Sequence, residues 1–255
     1  MRKVWLADMR HPEVARLLER PHIGVLPIGS TEQHGPHLPL DVDTRIAAAM
    51  CEEAALRVAD EIGVAIAPPL SIGVSEHHMR FPGTLSVDAG TFMELLVQTG
   101  TSLVRHGFDR LAIVNGHAGN VGAMHVAAAR LRLDGGARRV VYVSEWTLAS
   151  EAFATLRESG PGGCAHACEY ETSVYLHLDA DAVALEEAVA EIPAPEVGET
   201  TIDLFADGPY AVALGRDFSA VASIGSPNTP LAEKGRAAFE AAVENLARLY
   251  RDLAA

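Results

Sequence analysis

The chain has 255 residues, 49% hydrophobic and 21% charged, with 34 acidic against 20 basic side chains and a formal net charge of −14. At about 150 residues per domain the length allows one large domain or two small ones; the composition excludes a disordered chain, and with no flexible linker the chain reads as one domain over 1–255. The acidity argues against nucleic acid and anionic membrane surfaces as partners.

In chain order, Ile23-Gly-Val-Leu-Pro-Ile-Gly29 reads as a short buried strand. Residues 44–59 read as a helix, with Ile46, Met50, Ala54 and Val58 on one face. Val64–Pro68 is a second strand, ended by prolines. Thr91–His106 reads as a helix with Phe92, Leu95, Leu96 and Leu103 inward, a capping box at Thr91 and Glu94, and Gly107 as its C-terminal cap. Leu111–Asn115 is a third strand, 120–133 an Ala-rich helix, and Val140–Val143 a fourth strand. Residues 188–230 read as a long irregular excursion. The last helix covers 231–253, with Phe239, Val243, Leu246, Tyr250 and Leu253 on one stripe. This alternation implies a mostly parallel sheet with helices on both faces. No apolar run reaches the ~18 residues of a membrane span. The N-terminus lacks an apolar signal region, and three cysteines are too few for a disulfide framework. A cytoplasmic location is expected.

Ligands of open α/β sheets sit beyond the carboxyl ends of the strands, and the unusual polar residues follow the strands. After the first comes Gly29-Ser-Thr-Glu-Gln-His-Gly-Pro-His-Leu-Pro-Leu-Asp-Val-Asp43. Glu32 and His34 are two apart and point the same way in an extended segment. Gly35, Pro36 and Pro39 shape a stiff loop returning to Asp43. Carboxylate, imidazole and carboxylate suit a divalent ion such as zinc, manganese or iron. Asp43 also directly precedes a predicted helix, where it can be an N-cap; capping with one oxygen leaves the other to ligate. The third strand ends in Val114-Asn-Gly-His-Ala-Gly-Asn120. Its glycines allow a tight turn and close ligand approach. Asn115 and Asn120 suit turn and cap positions, and His117 is the natural second imidazole.

Cys164-Ala-His-Ala-Cys-Glu-Tyr-Glu-Thr-Ser173 adds His166 and Glu171, candidates for proton transfer or ligation. Glu171 equally suits the first turn of a helix, where the dipole favours an acid. Ser75-Glu-His-His-Met-Arg-Phe-Pro-Gly-Thr84 reads either as a solvated loop or as a substrate loop, with Glu76, His77 and Arg80 meeting a polar substrate. His11, His22, His37, His106, His125 and His177 lack such company and are expected to be structural or exposed.

Together these segments resemble the creatininase (creatinine amidohydrolase) family. The resemblance rests on Gly29-Ser-Thr-Glu-Gln-His-Gly-Pro-His-Leu-Pro-Leu, Phe81-Pro-Gly-Thr84, Asn115-Gly-His117 with Gly119-Asn120, and His166-Ala-x-x-x-Glu-Thr-Ser173. A weaker match is Gly225-Ser-Pro227 followed by Glu233-Lys-Gly-Arg236. It implies a three-layer α/β/α sandwich, a homo-oligomer such as a hexamer, and a hydrolase of non-peptide or cyclic C–N bonds. It also implies two divalent metal ions (Zn, Mn or Fe) per subunit. Glu32 and His117 would hold one, His34 the other, and Asp43 would bridge. Two departures stand out. Creatinine-hydrolysing members carry a glutamate where this chain has Gly119, so one metal loses a ligand unless Glu171 or water replaces it. Those members also shape the creatinine pocket with tryptophans, and here Trp146 is the only one besides Trp5.

The chemistry implied is attack on an amide carbonyl by a metal-activated bridging hydroxide. Backbone N–H groups around Gly116–Gly119 would stabilise the oxyanion. His166 would be the general acid, with Glu171 as its orienter, a ligand, or the proton shuttle. The partner is a small-molecule amide. Alternatives on the same scaffold are a deformylase of a pyrimidine biosynthetic intermediate, a mycofactocin-type peptidase, and a non-catalytic binding protein. A serine hydrolase is excluded because no Gly-x-Ser-x-Gly elbow is present.

Overall fold

The computed structural model describes residues 3–192, 202–205 and 219–255. Four apolar runs become strands β1 (His22–Ile28), β2 (Gly63–Ile66), β3 (Arg110–Asn115) and β4 (Arg139–Ser144). They pair in the order β2-β1-β3-β4, all parallel. Burial on both faces explains why β1 and β3 are apolar without alternation. Pro27 lies in the central strand although it cannot donate to a ladder. The backbone groups on its side of β1 face β2, which has already ended at Ile66, and Leu70 N–H closes onto the Pro27 carbonyl at 3.1 Å.

The helices are α1 (His11–Leu17), α2 (Val42–Val58), α3 (Ala89–Arg105), α4 (Val121–Leu133), α5 (Glu145–Leu156), α6 (Glu169–Leu178) and α7 (Ala232–Ala254). Alternation along the strands divides the core in two. Ile23, Val25, Ala112 and Val114 pack against α2, α5, α6 and α7. Leu26, Ile28, Leu111 and Ile113 pack against α3 and α4, with α1 at the margin. The result is a three-layer α/β/α sandwich on a parallel sheet. A short antiparallel pair, β5 (Cys164–His166) with β6 (Ile224–Gly225), lies beside it.

Local patterning places most elements, and the differences have physical causes. The α2 and α7 stripes are buried as expected, and Gly107 adopts φ +107° just past α3. Leu95 is exposed, because the buried face of α3 is Phe92, Leu96, Val97, Gly100 and Leu103. Helix α3 also begins a turn before Thr91. Asp88 is its N-cap, accepting from Thr91 N–H at 3.0 Å. Glu94 therefore does not cap; it accepts from Arg130 of α4 at 2.6 Å. Asp43 is not a cap either, since α2 starts at Val42 after Asp41 and its N-terminus has no side-chain cap. Helices α1, α5 and α6 were not legible as such. Of the 188–230 excursion, β6 and the bridge from Glu191 to Gly225 are described, and 193–201 and 206–218 lie outside the described residues.

In the order β2-β1-β3-β4 the chain turns to opposite sides after β1 and after β3. A crevice therefore opens between the carboxyl ends of these two strands.

Candidate metal and active site

The loop leaving β1 and the turn leaving β3 meet at this crevice. Gly116 makes the approach possible: a Cβ there would lie 2.1 Å from the Asp43 carbonyl oxygen. The first turn of α2 thus packs directly on the turn after β3, and Asp43 faces the crevice between two histidines. Its Oδ1 is 3.0 Å from His34 Nε2, and its Oδ2 is 3.1 Å from His117 Nδ1. Glu32 Oε1 is 3.3 Å from His117 Nδ1, 3.3 Å from His78 Nε2 and 3.7 Å from His166 Nδ1. Glu171, from the first turn of α6, has Oε1 3.9 Å from His34 Nε2. All of these side chains are buried.

Backbone acceptors orient the imidazoles. His34 Nδ1–H donates to the Glu32 carbonyl at 3.2 Å, and His117 Nε2–H to the Val74 carbonyl at 3.0 Å. His166 Nε2–H donates to the Gln33 carbonyl at 2.7 Å. In each ring the opposite nitrogen is left facing carboxylate. Such outer hydrogen bonds fix tautomer and orientation in metal-binding histidines.

Charge reinforces the arrangement. Burial would lower the His34 imidazole, but Asp43, Glu171 and Glu32 override it and raise it to about 9. Burial opposes His117 likewise, and Glu32 and Asp43 lift it well above the ordinary range. Burial would raise Glu32, yet His117 and His78 hold it well below the usual carboxylate range. Burial raises Glu171 to about 7, helped by the negative charge of Asp43 and Glu32 against His34. The centre therefore keeps Glu32 ionised and favours positive charge on His34 and His117.

These residues fit divalent ions. Both oxygens of Glu32, Asp43 Oδ2 and His34 Nε2 are buried without a hydrogen-bond partner, a costly arrangement unless a cation satisfies them. Ligand atoms about 2.1 Å from one tetrahedral ion lie about 3.4 Å apart, close to the spacings here. Possible ligand sets are His34–Asp43–Glu171, Glu32–His34–His166 and Glu32–His77–His117.

The creatininase family model, described as creatinine amidohydrolase, matches residues 7–250. The chain belongs to the creatininase family. Among relatives, a mycofactocin precursor peptide peptidase of Mycobacterium ulcerans (strain Agy99) is 37% identical over 226 residues, 87% of this chain and 81% of the relative. A creatinine amidohydrolase of Pseudomonas putida is 30% identical over 243 residues, 89% of this chain and 88% of the relative. Among solved structures, a glutamate-to-glutamine mutant creatininase of Zn–Zn type superposes with TM-score 0.80 at 29% identity, covering 99% of this chain and 98% of that one. A manganese creatininase gives TM-score 0.80 at 29% identity over 98% of each chain.

Within this creatininase fold, Glu32, His34, Asp43, His117, His166 and Glu171 converge on one crevice. His77 lines its cavity too, whereas Glu76 and Arg80 are exposed on the surface, Arg80 over the Phe81 ring at 4.8 Å. Gly119 contributes no side chain, and the turn around it is too tight for one. Two residues of the site that the sequence does not single out are His78, beside His77, and Gln33, whose amide donates to His78 Nδ1 at 2.6 Å. The clue to both was their place inside the quoted motifs. Asn120 sits at the N-cap position of α4 but makes no cap. Its amide instead joins the loops after β1, β2 and β3, accepting from Val74 N–H and donating to the Gly29 carbonyl, each at 3.0 Å. Among the described residues no helix is long and apolar enough to cross a membrane.

Proposed function

We propose that this chain is a dinuclear, divalent-metal-dependent hydrolase that cleaves an amide bond of a peptide. An apolar residue beside that bond sits in a cleft adjoining the metal ligands. The cleft is the observation that carries the substrate class. It has a volume of about 510 Å³, is lined by Val121, Met124, Tyr142, Trp146 and Leu204, and shares Ala118, Trp146 and Leu204 with the cavity at the ligands. That inner cavity, about 90 Å³, is smaller than an ordinary ligand pocket and takes little more than an amide group. The cleft is of ordinary pocket size. The 37% identical relatives named as precursor peptide peptidases favour the same reading. The 30% identical creatinine amidohydrolase favours a second, a compact cyclic amide held in the inner cavity alone.

In this reading Asp43 is shared, with Oδ1 toward His34 and Oδ2 toward His117. Glu32 and His117 hold one ion. His34 and Glu171 hold the other, so that Glu171 supplies the ligand that Gly119 cannot. When bound, the ions supply a Lewis acid for the carbonyl and make water more acidic. The chain's own part is positioning and proton transfer. Burial, with His78 and His34 nearby, holds the His166 imidazole well below its ordinary range, so it is neutral. Its Nε2–H is pinned to Gln33, and Nδ1 accepts a proton from the attacking water. As the C–N bond breaks, the same Nδ1 delivers that proton to the leaving nitrogen, giving a carboxylic acid and an amine. Trp146 and Leu204 close the apolar side and limit entry of bulk water.

The test is incubation of zinc- or manganese-loaded protein with peptides varied around a single bond, and with creatinine, followed by mass spectrometry. Cleavage beside aromatic or branched residues, weakened at least tenfold by Tyr142→Arg at the exposed wall of the cleft, is expected. Turnover of creatinine with no peptide cleaved overturns the peptide reading in favour of the compact amide.

A further inference from the structure

The two proposed metal centres are not equivalent in this chain, and the difference lies in the loop after β2. The His34 centre draws on His34, Glu171 and the shared Asp43. The Glu32 centre draws on Glu32, His117 and the same Asp43. A sixth side chain, His77, stands beside the second of these sets. It lies in the short helical turn Glu76–His78 and lines the inner cavity. Its ligand atom and those of Glu32 and His117 all lie within 4.8 Å of one another. Its ring is parallel to that of His117, with 2° between planes and 5.6 Å between centroids.

Gly119 is the reason His77 fits. A Cβ at 119 would lie 2.2 Å from the Val74 carbonyl, 2.4 Å from His117 Nε2 and 3.0 Å from His77 Cε1. The imidazole of His77 thus borders the space a longer side chain at 119 would need. Glu171 stands on the side of the other centre, with its Oε1 3.9 Å from His34 Nε2. Both oxygens of Glu32, buried and without hydrogen bonds, remain available to an ion on this side.

We propose that His77 is the fourth protein ligand of the Glu32–His117–Asp43 centre. That centre is then saturated by protein, as structural zinc sites are, while the His34 centre has three protein ligands and keeps a position open for substrate. The proposal rests on the dinuclear reading above. It goes beyond it by making one ion tight and the other exchangeable.

Chelator-treated protein is titrated with Co(II), following heat and the visible absorption band. Wild type should bind two equivalents with affinities at least tenfold apart. His77→Ala should weaken the tighter event at least tenfold, alter its visible band, and leave the weaker event unchanged. His34→Ala should do the reverse. His77→Phe keeps an aromatic ring against His117 without a donor, so it should lose affinity as His77→Ala does. Unchanged affinity and band in His77→Ala, or retention of both ions in His77→Phe, overturns the proposal and leaves His77 a packing residue. Failure of the dinuclear reading looks different: wild type itself binds fewer than two ions. Near-ultraviolet circular dichroism of each variant confirms that the comparison is between folded proteins.

Discussion

Replacing Asn120 by alanine tests whether hydrogen bonds between strand-end loops hold the site together. Asn120 is fully buried, and its amide joins Val74 N–H to the Gly29 carbonyl, with Asn115 Oδ1 at 3.4 Å. Alanine leaves a buried donor and a buried acceptor unpaired. Each costs about 1–3 kcal/mol, so a loss of about 3 kcal/mol is expected. For a chain of this size that lowers Tm by about 6–12 °C. The consequence extends to the metal ligands, because the Val74 carbonyl also accepts from His117 Nε2–H at 3.0 Å. Releasing Val74 loosens His117, and loss of such an outer contact typically costs 10–100-fold in metal affinity. Thermal unfolding of metal-free protein and Co(II) titration measure the two effects separately. Asn120→Asp keeps an acceptor for Val74 but turns a carboxylate toward the Gly29 carbonyl, so it should not rescue stability at pH 7. A Tm within about 2 °C of wild type, with unchanged metal affinity in Asn120→Ala, would refute the reasoning. The loops would then be held by backbone packing alone.

Chelation should lower Tm and readdition of Zn(II) or Mn(II) should restore it, with about 4 kcal/mol gained at a thousandfold excess over Kd; scanning calorimetry with and without chelator decides this. Lys234→Ala should destabilise by about 3 kcal/mol, read from denaturant midpoints. Lys234 Nζ lies 2.7 Å from Glu169 Oε1, and removing it leaves a buried carboxylate without its counter-charge, held only by the Glu158 and Ser159 N–H groups. Glu191 anchors the returning segment, accepting from Ser219 Oγ at 2.6 Å and from the Ala220 and Val221 N–H groups at 2.9 and 3.1 Å. Burial would raise its carboxyl, but these hydrogen bonds hold it below the ordinary range. Its stabilisation is therefore complete above the unfolded value of about 4.3 and is lost as pH falls through the lower folded value. Amide protection factors at Ala220 and Val221 should drop below pH 4 and be unaffected between pH 5 and 7. The same anchor should be missing at every pH in Glu191→Gln.

Much of the architecture is written locally. Runs such as Ile23–Ile28 and Leu111–Val114 are too short and too apolar for anything but buried strands. The spacing of Ile46, Met50, Ala54 and Val58 admits a helix with one buried face. Helix α5 carries no local boundary signal, because it follows β4 without a break, from Ser144 to Glu145. Helix α6 is buried nearly all round from Glu169 to Tyr175, and so shows no amphipathic period.

The same division runs through the site. That Glu32 and His34 project together follows from an extended chain, and that polar residues after β1 and β3 carry the chemistry follows from parallel-sheet topology; the sequence by itself determined both. Only the tertiary structure decided the rest. Starting α2 two residues earlier turned Asp43 from a cap into a carboxylate shared by His34 and His117. The long return of the chain through β5 and α6 brought His166 and Glu171 to residues more than 120 positions away. Local periodicity encodes which face is buried. The strand order β2-β1-β3-β4, and with it which loops meet, is fixed by non-local packing that no window of sequence contains.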